Sequence, residues 1–181
     1  MRYQFNITLT EEDYLAFNNF HSFESHHSKK AIRKARLSYL AAMGILAAIA
    51  VLITGFSMLS LLYLGLVASF SLVYMLMFKK ILLNNMKNQI KRMKKTGRLP
   101  YEAVSTMEFY EDRMAEISPT SRTEESYAVL ERLCIVKDRY IFLYRSSISA
   151  YILPIAQIQD QVNMEDLITF LSQKCKTTEH Y

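Results

Sequence analysis

The chain has no tryptophan among its 181 residues and only two cysteines, Cys134 and Cys175, with no CxxC pair. That excludes a disulfide framework and leaves two reduced thiols as the expectation. A second absence is local. From Leu37 to Phe78 there is no Asp, Glu, Lys, Arg or His. A soluble pair of core helices would need a polar face, and this block has none. A third concerns sign. Between Ser25 and Tyr101 there are thirteen Lys and Arg and no acid, while the other nine basic residues face all seventeen acids. The net charge of +5 is therefore +13 around the apolar block and −8 elsewhere. A uniformly basic chain would suggest nucleic acid. Basic residues gathered only around an apolar block suggest stop-transfer signals and anionic lipid.

The apolar block divides at Gly55-Phe56-Ser57 into spans of about 37–56 and 58–78. A single helix of forty-two residues would be about 63 Å long, roughly twice a bilayer core. A transmembrane hairpin is the economical reading. The 36 residues before it are too many for the n-region of a signal peptide. Lys29, Lys30, Arg33, Lys34 and Arg36 precede the first span. Lys79, Lys80, Lys87, Lys91, Arg92, Lys94, Lys95 and Arg98 follow the second, and the turn carries no charge. Both termini are thus expected in the cytoplasm of a multi-pass cell-membrane protein. Gly44 and Ala48 in one span, and Gly65 and Ser69 in the other, have small-xxx-small spacing. With the fold-back between Phe56 and Ser57 they lie at matched depth, which predicts close packing there.

Residues 1–36 read as a short strand, Met1 to Leu9, and an amphipathic helix, Glu11 to Glu24. Thr8 with Glu11, or Thr10 with Asp13, has capping-box spacing. That helix has two open destinations, the membrane or the C-terminal domain. His21, His26 and His27 lack further ligands at metal spacing, so no metal or cofactor is assigned. Residues 79–99 continue the helix. Leu82, Leu83, Met86, Ile90 and Met93 form one apolar stripe among basic residues, and Gly97 and Pro100 end it. Lys79, Lys80, Lys87, Lys91, Arg92, Lys94 and Lys95 are the candidate contacts to lipid headgroups, each worth about 1 kcal/mol near an anionic surface.

Residues 100–181 change character. Alternation predicts strands at Val104–Tyr110, Arg113–Ser118, Tyr127–Val136, Tyr140–Arg145 and Ser149–Leu153. The stretch 127–136 is long enough to bend or to hold two strands. Pro119–Glu125 reads as a loop, with hairpin turns at Lys137-Asp138-Arg139 and Arg145-Ser146-Ser147. A closing helix, Met164–Lys174, follows the N-cap Asn163. The fold class is therefore an α+β membrane protein: a two-helix transmembrane hairpin plus a small antiparallel sheet domain closed by a C-terminal helix. That layout is compatible with a pleckstrin-homology-like module.

Phe109-Tyr110-Glu111-Asp112, the run Lys137-Asp138-Arg139-Tyr140-Ile141-Phe142-Leu143-Tyr144 and the closing Ala150-Tyr151-Ile152-Leu153-Pro154 resemble the YcxB-like family of bacterial membrane proteins. The resemblance implies an N-terminal segment, two spans and a C-terminal domain. It supplies no activity. Family members often carry a basic residue after the proline, where this chain has Ile155.

No catalytic constellation emerges. Cys134 has no His nearby in sequence, and Glu108, Glu111, Asp112 and Glu116 lack the spacing of a calcium loop. The expected function is a membrane-anchored cytoplasmic binding or regulatory module without catalytic activity. Its expected partners are membrane lipid and a protein, and the net −5 of Tyr101–Tyr181 argues against phosphate and nucleic acid. The alternative is a small accessory or immunity-type membrane protein acting through its hairpin.

Overall fold

Two regions far apart in sequence build the first sheet. In the computed structural model, which describes residues 1–97 and 99–181, β1 (Tyr3–Thr8) lies antiparallel to β2 (Val104–Phe109), with Phe5 opposite Met107 and Ile7 opposite Ser105. Strands β3 (Arg113–Ile117) and β4 (Arg122–Ser126) complete the order β1-β2-β3-β4. A second sheet, β7-β6-β5-β8, comprises β5 (Arg132–Val136), β6 (Tyr140–Tyr144), β7 (Ala150–Pro154) and β8 (Thr177–His180). Its pairings are antiparallel except that β8 runs parallel to β5. The protein is α+β, with two long apolar helices besides these sheets.

Strand alternation sends one set of side chains inward. Phe5, Ile7, Met107, Phe109 and Met114 meet Leu133, Ile135, Ile141, Leu143 and Leu153. Leu167, Phe170 and Leu171 of a C-terminal helix (Met164–Lys174) join the same core. Each such side chain contributes about 1.5–3 kcal/mol on burial. Asn163 caps that helix, accepting from the N–H groups of Glu165 and Asp166 at 3.0 and 3.3 Å.

Residues Met1–Asn18 form one compact unit with Ile90–Tyr181, and Asn19–Gln89 form another. The N-terminal segment 1–36 is therefore split: its strand and helix belong with the sheets. Numbering the helices in chain order, α1 (Glu11–Asn19) starts at Thr10, whose Oγ accepts from the Asp13 N–H at 3.2 Å while Asp13 accepts from the Thr10 N–H at 2.9 Å. Asp13 also accepts from the Tyr140 hydroxyl at 2.9 Å, and the Phe17 ring lies 5.3 Å from Phe142 and 5.8 Å from Tyr144. The destination left open by the sequence is the sheet unit.

Several expectations need correction. The loop expected at Pro119–Glu125 contains most of β4, and β8 lies beyond the supposed closing helix. Both strands are polar edges with almost every residue exposed, so periodicity carries no trace of them. The stretch 127–136 is a 3-10 turn, Tyr127–Val129, followed by β5, and a short helix, Ile155–Ile158, follows β7. The expected turn at Lys137-Asp138 is present, with φ 51° at both residues, the geometry of a type I′ hairpin.

The short helix after β7 protects the outer edge of β1. The Gln157 amide accepts from the Thr8 N–H at 2.8 Å and donates to the Thr8 carbonyl at 2.9 Å. Gln161 does the same for Asn6, at 2.9 and 3.1 Å. Two side-chain amides thus imitate a neighbouring strand, which answers the edge problem without another chain. Replacing Gln157 and Gln161 together by Leu is expected to cost about 1 kcal/mol for each glutamine. A thermal scan with a thiol-reactive dye would show it as a fall of several degrees. An unchanged midpoint would show that the clasp contributes nothing.

In the other unit, α2 (His26–Thr54) and α3 (Met58–Lys95) are about 44 and 57 Å long at 1.5 Å per residue. Gly55 turns the chain at φ +65° and ψ −176°, a region essentially reserved for glycine. Ser57 and Ser60 then cap α3 reciprocally at 2.9 and 3.3 Å. In each helix the most apolar window is almost wholly uncovered, 0% buried in α2 and 6% in α3, unlike a soluble core helix. The less exposed positions, Met43, Ala47 and Val51 with Ser60, Leu64, Val67 and Ser71, repeat every three or four residues. The Tyr39 ring lies tilted against Tyr74, with centroids 5.2 Å apart, and its hydroxyl lies 3.4 Å from that of Ser71. Gly44, Ala48, Gly65 and Ser69 are all exposed instead, and a Cβ at Gly44 or Gly65 would meet nothing within 4 Å. The less exposed seam positions mix large and small side chains, Met43, Val51, Leu64 and Val67 with Ala47, Ser60 and Ser71.

Candidate functional site

A cleft of about 420 Å³ opens where the two sheets diverge. Its apolar walls are Ile7, Leu9, Met107, Ile152 and Leu153, with Tyr14 and Phe17 of α1. Leu99, Pro100, Tyr101 and Glu102, which lead from α3 into β2, form a further wall. The Tyr101 ring lies tilted against Tyr14, with centroids 5.1 Å apart. Burial, then the carboxylates of Glu11 and Asp13, raise the Tyr101 phenol above its ordinary value.

The polar side of the cleft comes from strand register. Glu116 pairs with Met107 and therefore points to the inner face of its sheet, beside Ser105. Burial raises the Glu116 carboxyl above the usual range; the Ser105 hydrogen bond and the charge of Arg145 pull the other way, and Glu102 and Glu125 add to the rise. Arg145 donates to Glu125 at 2.9 Å and to Ser149 at 3.0 Å, and the Tyr151 hydroxyl donates to Glu125 at 3.1 Å. This group ties β4 to β7 across the mouth. Glu125 is paired in this way, while Glu102 and Glu116 face the cleft with no cation at salt-bridge distance among the described residues.

The sign of the Glu116 shift gives a prediction. Its proton is held more tightly in the folded chain, so stability falls as pH rises from the ordinary carboxylate range through the raised value. Glu116→Gln is expected to raise the thermal midpoint at pH 7 and to leave it unchanged near pH 4. A midpoint lowered at pH 7 would contradict that sign.

The acidic cluster near the β2–β3 turn disperses on folding. Glu108 and Glu116 lie on opposite faces of their sheet, Glu111 pairs with Arg2 at 3.4 Å, and Asp112 pairs with Arg113 at 3.3 Å. Among the described residues no three His, Cys, Asp or Glu side chains gather as a metal-ligand set. Cys134 is fully buried, and burial first, then Glu179, pushes its thiol up to about 12. Burial pushes Cys175 up to about 11. Neither is a poised nucleophile.

Lys79, Lys80, Lys87, Lys91, Arg92, Lys94 and Lys95 are all exposed on α3, and Leu82, Leu83, Met86, Ile90 and Met93 form its less exposed stripe. Arg98 lies outside the described residues. The basic residues of α3 and the small residues of the hairpin do not line the cleft, and of the acidic cluster weighed in the sequence Glu116 alone does so among the described residues. The cleft's residues escaped sequence reading because they come from six separate segments joined only by strand register. The one available signal was Glu116, a carboxylate at an inward position of a predicted strand. No family model, curated protein or solved structure matches this chain.

Proposed function

We propose that this protein is a membrane-anchored binding module. Its hairpin crosses the membrane twice, with both ends and the two-sheet unit on the cytoplasmic side, and the cleft receives a protein partner. The observation that carries this reading is where the cleft's walls originate. Tyr14 and Phe17 stand in the helix that leads towards the hairpin, and Leu99–Glu102 in the segment that leads away from it. The cleft is thus walled in part by the two chain segments that flank the hairpin in sequence.

Several features support the anchoring. Five basic residues precede the first span, eight follow the second, and the turn has none. The exposed lysines from Lys79 to Lys95, with Arg92, would hold anionic headgroups. The order of β1–β4, then β5–β7, then a helix supports a pleckstrin-homology-like ancestry, with the hairpin inserted between β1 and β2. β8 is an addition to that layout. The aromatic β6 and the closing β7 support kinship with the YcxB-like proteins.

A second reading, action through the hairpin in an accessory or immunity role, draws on one observation. Gly44, Ala48, Gly65 and Ser69 face outward, where another membrane segment could pack. A photo-crosslinking residue at Ile148, exposed at the cleft, and another at Ala68, exposed in the span, separate the two readings. Capture of one reproducible protein from position 148 in cells, lost with Glu116→Lys, supports the module. Capture from position 68 alone supports the hairpin reading, and capture from neither overturns the module.

A further inference from the structure

The four sheet edges are managed differently. β1 is clasped by Gln157 and Gln161. β4 is laced with charge, Arg122 to Glu124 at 2.8 Å and Arg113 to Glu124 at 3.4 Å, and β8 is short and polar. β7 has neither device. Its residues Tyr151–Pro154 are apolar and buried.

The register of β7 shows which backbone groups are left over. The Arg145 N–H donates to the Ser149 carbonyl at 3.0 Å, and the Ile155 N–H to the Arg139 carbonyl at 2.9 Å. Pairing alternates between these points, so Tyr151 and Leu153 exchange hydrogen bonds with β6. Ala150 and Ile152 therefore turn their N–H and C=O groups away from β6, and among the described residues these groups have no partner. Pro154, next in the same phase, has no N–H to offer. The open side of β7 runs along the cleft, which Ser149 to Leu153 line, about 13 Å of strand at 3.3 Å per residue.

An unpaired apolar strand edge normally attracts a stray strand. Here it is recessed, so only a chain that enters the cleft reaches it. Such a chain would send alternate side chains to opposite sides, one set towards Ser105, Met107 and Glu116 on the inner face of the first sheet and the other towards Tyr14 and Phe17 of α1. Arg145 is already committed to Glu125, whereas among the described residues no salt bridge reaches Glu102 or Glu116.

We propose that the cleft binds an extended peptide segment of a partner protein, which adds to β7 at Ala150 and Ile152 as a strand and sets a basic side chain against Glu116 and Glu102. This rests on the binding-module reading and names its ligand class. The desolvation that raises the Glu116 carboxyl favours such a cation, since an incoming ammonium or guanidinium restores the ionised form.

The test uses the full chain in nanodiscs of neutral phosphatidylcholine, so that the lipid does not compete for cations. The probe is a capped, fluorescent octapeptide alternating valine and lysine. Anisotropy should show saturable binding. Binding should fall at least tenfold when alternate peptide amides are N-methylated, when valine alternates with glutamate, and in Glu116→Gln. Hydrogen exchange of the unmodified protein should slow at Ala150 and Ile152 on peptide addition, a readout that needs no variant to fold. Binding indifferent to N-methylation, or exchange unchanged at Ala150 and Ile152, overturns strand addition. If crosslinking from Ile148 still captures a partner, the module stands and only its ligand class falls. If neither peptide nor partner reaches the cleft, both readings fall.

Discussion

Deleting residues 1–9 is expected to unfold the two-sheet unit, although the deleted segment lies at the far end of the chain from most of its partners. β1 is an outer strand of the first sheet, and its Phe5 and Ile7 are 1% and 2% exposed in the shared core. Phe5→Ala alone should cost about 3–5 kcal/mol, since it removes a buried ring and leaves a void. A domain of this size is stable by about 5–15 kcal/mol in total, so losing the whole strand should exceed what the fold can lose. Gln4→Ala, on the exposed face of the same strand, should be nearly neutral. Because the chain has no tryptophan, the convenient reporter is Cys134, whose thiol is inaccessible until the unit opens. Labelling of Cys134 at room temperature in the deletion variant, and not in Gln4→Ala, is the expected result. Full protection without residues 1–9 would show that β1 does not contribute to the core.

The second large effect concerns the spans. Leu46 and Ala68 are exposed near the middle of the two apolar stretches. An arginine at the centre of a spanning helix costs about 2.5–3.5 kcal/mol on insertion scales. Leu46→Arg combined with Ala68→Arg is therefore expected to remove the protein from the alkali-washed membrane fraction into aggregate or degradation products. Leu46→Ala should leave it in the membrane fraction. A double arginine variant that stays in the membrane at wild-type level would contradict the spanning assignment. One that turns soluble and folded would show the helices belong to a water-facing assembly.

The parts of this fold legible in the sequence are those where burial imposes a period. The uncharged block from Leu37 to Phe78, its fold-back at Gly55, the stripe from Leu82 to Met93 and strands such as Tyr140–Tyr144 bury one face or meet an apolar surrounding. β4 and β8 bury almost nothing, so their residues are free to be polar, and the pattern vanishes with the constraint. The alternation of Tyr3, Phe5 and Ile7 announces a strand without naming the neighbour; pairing with β2 across about a hundred residues is tertiary information. The hairpin seam shows a different limit. Gly44 shares depth with Ser69, and Ala48 with Gly65, but depth says nothing about rotation around the helix axis, and the side that turns inward carries Met43, Ala47, Leu64 and Val67. The cleft was hidden for the same reason as the β1 pairing, since Glu116, Arg145 and Tyr101 meet only after both sheets have formed.

The central claim is that an apolar hairpin crosses the membrane from within a folded cytoplasmic unit. Single cysteines at Gln4, Phe56 and Lys176, all exposed positions, test it with a membrane-impermeant maleimide on intact cells. Cys175 would be replaced by serine, and Cys134 left in its buried place. The account predicts labelling of Phe56→Cys in intact cells, and of Gln4→Cys and Lys176→Cys only after the membrane is opened. Labelling of position 4 or 176 from outside, or equal labelling at all three positions, would contradict it.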